Sequence, residues 1–167
     1  MADPSRVTRT SLRRVVSMHA PIPMALLPAR VWSDDEWERI RLGYKARDMD
    51  EKWNVFVEAQ TVFVHRSWTG NGIFEASFSA ADDGGWRISA AVVESEPSRY
   101  RRSSEQYDRV SLELVLSAIV LGEPAADLRA ELVALTMEAS GRTDVPAGAL
   151  LHSALGLRTP PQDAQGQ

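Results

Sequence analysis

The sequence predicts an α+β domain: an antiparallel four-stranded meander covered by a long helix, with further helices at the C-terminal end. Three observations carry this. Apolar residues alternate over four consecutive short runs between Trp53 and Glu94, only short turns separate those runs, and helical spacing returns after Pro97. A parallel pairing would need a crossover of about a dozen residues between strands, and none is present. Strands first and helices last is the α+β order.

The first helix starts at Ser33-Asp34-Asp35-Glu36, the S-x-x-E spacing in which a hydroxyl and a carboxylate satisfy each other's orphan backbone donors. Trp37, Ile40 and Tyr44 follow at helical intervals, and Gly43 weakens any continuation. The period then becomes two. Trp53, Val55 and Val57 alternate with Asn54, Phe56 and Glu58, and beyond Ala59-Gln60 a second run holds Val62, Phe63 and Val64, so the two form a hairpin. A third strand, Ile73 to Ala80, ends at Ala81-Asp82-Asp83-Gly84-Gly85, where glycines admit the positive φ of a tight reversal before a fourth strand, Trp86 to Glu94.

After Pro97, Ser103 or Ser104 caps a helix from Glu105 to Leu121, whose stripe of Tyr107, Val110, Leu114, Ala118 and Leu121 is widened by Leu112, Leu116 and Ile119. A further helix spans about Pro124 to Ala139 and stops at Gly141, and a short one spans about Val145 to Leu155. The expected organisation is a flexible basic arm (1–19), an α+β core (20–122), a helical segment packed on it (123–158) and a solvated tail (159–167).

Composition excludes several classes. The chain has 167 residues, 19 Lys and Arg against 23 Asp and Glu, and 44% hydrophobic residues, which fits one domain with its own core. The net charge of −4 lacks the footprint of a duplex nucleic-acid binder. No cysteine is present, which removes disulfides, thiolate metal sites and cysteine nucleophiles together. No stretch reaches the roughly 20 apolar residues that cross a bilayer, and Pro21 and Pro23 interrupt the only early apolar run, so neither membrane nor export is expected and a cytoplasmic location follows. His19, His65 and His152 stand in no H-x-H or H-x-x-x-H arrangement, and neither a P-loop nor G-x-G-x-x-G occurs, so no metal and no cofactor is assigned. The sequence assigns no oligomeric state.

Polar and aromatic residues concentrate on the two flanks of the hairpin, Arg47 to Trp53 and His65 to Gly72. Positions equidistant from Ala59-Gln60 oppose each other, so both flanks meet at one end of the sheet. Asp50, Lys52, Trp53, Arg66, Ser67, Trp68 and Thr69 then form a candidate ligand site: Arg66 and Lys52 for negative charge, Trp53 and Trp68 for stacking, Asp50 or Glu51 for hydroxyls. Each residue also has a plain structural role open to it, the acids in a solvated turn and the tryptophans in the core. Asp48, Asp50 and Glu51 form a weakly specific D-x-D-E pattern, open to Mg²⁺ binding or acid–base work but more plainly a solvated turn paired with Lys52, Arg47 or Arg66, and Ser67 beside His65 lacks an identified carboxylate to orient the histidine. Arg99-Tyr100-Arg101-Arg102 is a second basic feature, set apart from the first as a linker or an anion site at a helix start.

Met49-Asp50-Glu51-Lys52-Trp53 and His65-Arg66-Ser67-Trp68-Thr69-Gly70 together resemble a family of small bacterial domains that share this MDEKW…HRSWTG core over about residues 28 to 122. The resemblance carries no activity and assigns no catalytic residue. It implies occasional company with ADP-ribose-processing proteins, hence nucleotide-like ligands. Three functions remain open on the residues: binding of a small anionic, nucleotide-derived or ADP-ribose-like ligand at the hairpin end; hydrolysis of a glycosidic or phosphoester bond with Glu51 and His65 as the catalytic acid and base; and a non-catalytic, immunity-type interaction protein that uses the helical face after Gly122.

Overall fold

The computed structural model describes residues 5–141 and 144–158, so the tail expected at 159–167 lies outside the described residues. In chain order the elements are β1 (Pro21–Pro23), α1 (Asp34–Leu42), β2 (Trp53–Glu58), β3 (Thr61–Arg66), β4 (Gly72–Ala80), β5 (Trp86–Glu94), α2 (Glu105–Leu114), α3 (Ala126–Ser140) and α4 (Ala147–Ala154). The strands form one antiparallel sheet in the order β1-β5-β4-β3-β2. The class is α+β, and the sheet has five strands where the sequence predicts four.

The extra strand is β1, whose Pro21, Ile22 and Pro23 pair with Glu94, Val93 and Val92. Its two prolines conceal it. Proline lacks an N–H for the ladder and is confined to sheet edges, so P-I-P reads as irregular chain until β5 supplies a neighbour.

The capping box at α1 forms as the spacing predicts, with Glu36 N–H donating to Ser33 Oγ at 3.1 Å and Ser33 N–H to Glu36 Oε1 at 2.8 Å. Gly43 closes the helix at φ 74°, where any Cβ would collide with the Val55 carbonyl. One sheet face carries Trp53, Val55, Val57, Val62, Val64, Phe74, Ala76, Phe78, Ala91 and Val93 into the core, with Trp37 and Ile40 of α1 and Val110 and Leu114 of α2. Helix α2 starts at Ser104, which accepts from Tyr107 N–H at 3.0 Å. From Val115 to Val120 its backbone widens to a π-helix in which every residue is buried, so the single helix expected to Leu121 changes type part-way. Helix α3 ends at Gly141, φ 69°.

The described part of the N-terminal segment, expected as a flexible arm, lies as a strap against the sheet. Arg6 donates to the Val57 carbonyl at 2.8 Å, Arg9 grips Glu58 through two bonds of 3.0 and 2.9 Å, and the Arg9 guanidinium lies 5.0 and 5.2 Å from the stacked Phe56 and Phe63 rings. Leu12 is buried, and Val16 forms a bridge with Asn71. The arginines that looked like solvated charge are held because the sheet's second face offers them a carboxylate and two aromatic faces.

Candidate functional site

The hairpin register places Trp53 opposite Arg66 and Asn54 opposite His65. Pairing continues one step further, where Ser67 N–H donates to the Lys52 carbonyl at 2.9 Å. Trp53 is only 2% exposed, and its indole N–H donates to the Ala154 carbonyl at 3.1 Å. Over its ring, 4.2 Å from the centroid, lies the Arg66 guanidinium. Burial lowers the Arg66 pKa from its ordinary value while the Tyr100 and Tyr107 phenols act to raise it, and an arginine this basic keeps its charge. Among the described residues the Arg66 guanidinium, with five N–H donors, donates to no acceptor and meets no carboxylate; only its backbone N–H donates, to the Asn71 carbonyl at 2.9 Å.

Two concavities open on Arg66. One, of about 400 Å³, is lined by Lys52, Ser67, Trp68, Thr69 and Asn71, and the other, of about 340 Å³, by Tyr107, Arg101 and the end of α4; Arg66, Ser98 and Arg99 belong to both. No Asp or Glu lines either. Arg99 donates to the Ser17 carbonyl at 3.0 Å and stands 3.9 Å from the buried Glu94, whereas Lys52 and Arg101 pair with no carboxylate among the described residues. The result is a cationic hollow with spare donors, and Trp68, 62% exposed, forms one wall.

Lys52, Arg66, Ser67, Trp68 and Thr69 are therefore brought together as the sequence predicts, with Trp53 beneath Arg66 as its seat. Asp50 stands apart: its carbonyl accepts from Leu157 N–H at 2.9 Å, and its carboxylate faces His152 at 4.0 Å. Glu51 is 1% exposed, and one carboxylate oxygen accepts from the Tyr44 hydroxyl at 2.7 Å and from Arg47 N–H at 3.2 Å. His65 projects from the opposite sheet face to Arg66, with Nδ1 2.8 Å from the Gly70 carbonyl and the Phe56 ring 5.3 Å away. Glu51 and His65 thus share no neighbourhood in which to act as acid and base. Ser67 Oγ donates to the Glu51 carbonyl at 2.6 Å and is not aimed at His65, and Thr69 Oγ1 accepts from Asn71 N–H at 3.1 Å. Among the described residues, no group of three or more His, Asp or Glu converges as metal ligands, and no helix is long and apolar enough to cross a membrane.

Sequence reasoning set Arg99 and Arg101 apart from this site. Part of the signal was present in the strand directions: β5 runs toward the end where β2 begins, so the chain leaving Glu94 emerges at the same end of the sheet as Lys52 and Arg66. Tyr100 and Arg102 fix the segment there by hydrogen bonds of 3.2 and 2.8 Å to Asp108.

Neither family models, nor curated proteins, nor solved structures give a match to this chain.

His65 has a consequence in pH. Burial lowers its pKa below the ordinary 6.5, so the unfolded chain takes up a proton that the folded chain refuses. Stability should be constant above about pH 6.5 on this account and fall as pH drops from there through the folded pKa. In His65→Gln the unfolding midpoint should decline less between pH 8 and pH 5 than in the parent. Parallel slopes in a thermal melt series would show that the histidine is not held neutral.

Proposed function

We propose that the protein binds a small anionic ligand, nucleotide-derived or ADP-ribose-like, at the hairpin end of the sheet. One observation carries the reading: the Arg66 guanidinium, seated on Trp53 with no acceptor of its own among the described residues, opens onto hollows lined by Lys52, Arg99 and Arg101 and by no carboxylate. A guanidinium fork matches phosphate and carboxylate bidentately, and stacking on an aromatic ring fixes its plane in advance. The exposed Trp68 offers a flat face to a base or sugar beside that charge. The resemblance of MDEKW and HRSWTG to domains found alongside ADP-ribose-processing proteins points to the same ligand class.

The test is a thermal-shift screen against nucleotides, ADP-ribose, sugar phosphates and divalent cations, run in parallel on Arg66→Ala and Arg66→Lys. At a hundredfold excess over Kd a ligand of the folded state adds about 2.7 kcal/mol. The shift should vanish in Arg66→Ala and shrink in Arg66→Lys, which keeps the charge without the fork. A shift of equal size in both variants, or none with any compound in the parent, would overturn the assignment.

A further inference from the structure

A further concavity of about 450 Å³ shares Ser67 and Trp68 with the Arg66 hollow, and its lining includes Leu12, Arg13, Arg14, Lys45 and the Arg47 to Met49 loop. Its cations come from a different part of the chain. The strap delivers Arg13 and Arg14, and it is pinned against the Trp68 loop by Val16 N–H to the Gly70 carbonyl and Gly72 N–H to the Val16 carbonyl, each 2.8 Å. Gly70, at φ 79°, lets the strap approach so closely that a Cβ there would lie 2.7 Å from the Arg14 carbonyl oxygen. Arg13, Arg14 and Lys45 are exposed and pair with no carboxylate among the described residues; Asp48 is the one acid in the lining. In a chain of net charge −4, two concavities that share an exposed indole are thus both lined by cations.

We infer that the hollows form one track for a short single-stranded nucleic acid, with one backbone phosphate at Arg66 and Arg99, another at Arg13 and Arg14, and a base stacked on Trp68. The inference rests on reading the Arg66 hollow as an anion site. A positive groove that follows the backbone, interrupted by an aromatic face, is the general solution to binding a single strand. A duplex is disfavoured because its bases already stack on one another, which leaves the indole without a partner.

The experiment is fluorescence anisotropy with a labelled oligothymidylate of roughly ten nucleotides, a length within the range one small domain covers. Thymidine monophosphate and a duplex of the same length serve as competitors. The oligonucleotide should bind at least about tenfold more tightly than the monophosphate, which carries a base of its own but lacks the second phosphate. Arg13→Ala/Arg14→Ala should remove that gain, leave monophosphate binding and the melting midpoint unchanged, and flatten the dependence of log K on log salt by about 0.7 for each phosphate that is no longer neutralised. Trp68→Ala should weaken the oligonucleotide about tenfold, and Arg66→Ala should weaken both ligands. An oligonucleotide that binds no better than the monophosphate, or is indifferent to the double substitution, overturns the track and leaves the Arg66 site standing. Failure of both ligands to bind removes the two together, and a duplex bound as tightly as the single strand overturns the stacking.

Discussion

Glu94→Ala is expected to lower the unfolding midpoint by about 10 °C, corresponding to about 3–4 kcal/mol for a chain of this size. The Glu94 carboxylate is fully buried and accepts four backbone N–H groups: His19 at 2.6 Å, Ala20 at 2.7 Å, Ser95 at 3.0 Å and Glu96 at 3.1 Å. Its removal strands those donors, and two of them hold the strap where it enters β1. The loss should stop short of four full penalties, because the donors are partly buried and recover some water. Burial pushes the carboxyl pKa up, but the four donors outweigh it and hold the group below its ordinary 4.5. The stabilisation is therefore present above about pH 4.5 and is lost as pH falls through the lowered folded value, so the gap between parent and variant should close in acid. Glu94→Gln keeps one acceptor oxygen and should show about half the loss. Because Arg99 lies beside Glu94 and donates to Ser17 on the strap, Glu94→Ala should also weaken the anion site. Urea titration at neutral pH and at pH 4 checks the sign as well as the size.

What was legible in the sequence was local or of short range. The Ser33 and Glu36 cap, the two-residue link at Ala59-Gln60 and the positions of β4 and β5 all follow from turn chemistry and period, and the hairpin register then brings Lys52 and Trp53 to Arg66 and Ser67. What was not legible depends on partners distant in sequence. Pro21 to Pro23 become a strand only against Val92 to Glu94, and Arg6 and Arg9 become a strap only because Val57, Glu58 and Phe56 await them. The roles of Glu51 and His65 were obscured for another reason. Composition groups both with the hairpin flanks, but strand alternation sends His65 to the face opposite Arg66, and Glu51 turns inward to Tyr44. Parity along β3 was enough to separate His65 from the cationic hollow; the contact of Glu51 with Tyr44 needed the bridge between Tyr44 and Val55, which no local pattern announces.

Trp53→Ala should combine the largest loss of stability with loss of ligand binding, and Trp53→Phe should separate the two. The side chain is 2% exposed, packs 6.3 Å from Phe74 between centroids, ties β2 to α4 through Ala154 and carries Arg66 on its face. Truncation to alanine opens a cavity in a close-packed core, at a cost of about 3–5 kcal/mol. Without the ring, Arg66 keeps its charge but loses the plane that presets its fork, so anion affinity should fall even under conditions where the variant stays folded. Phenylalanine retains a ring under the guanidinium and gives up the indole N–H, which leaves the Ala154 carbonyl short of a donor at about 1 kcal/mol. Its ligand affinity should stay within severalfold of the parent. Urea unfolding and ligand-dependent melting on both variants distinguish the contributions: if Trp53→Phe loses ligand as completely as Trp53→Ala, the operative element is the tie to α4, whose Leu150, Ser153 and Ala154 wall the hollow on Arg66's second side, and not the seat beneath the guanidinium.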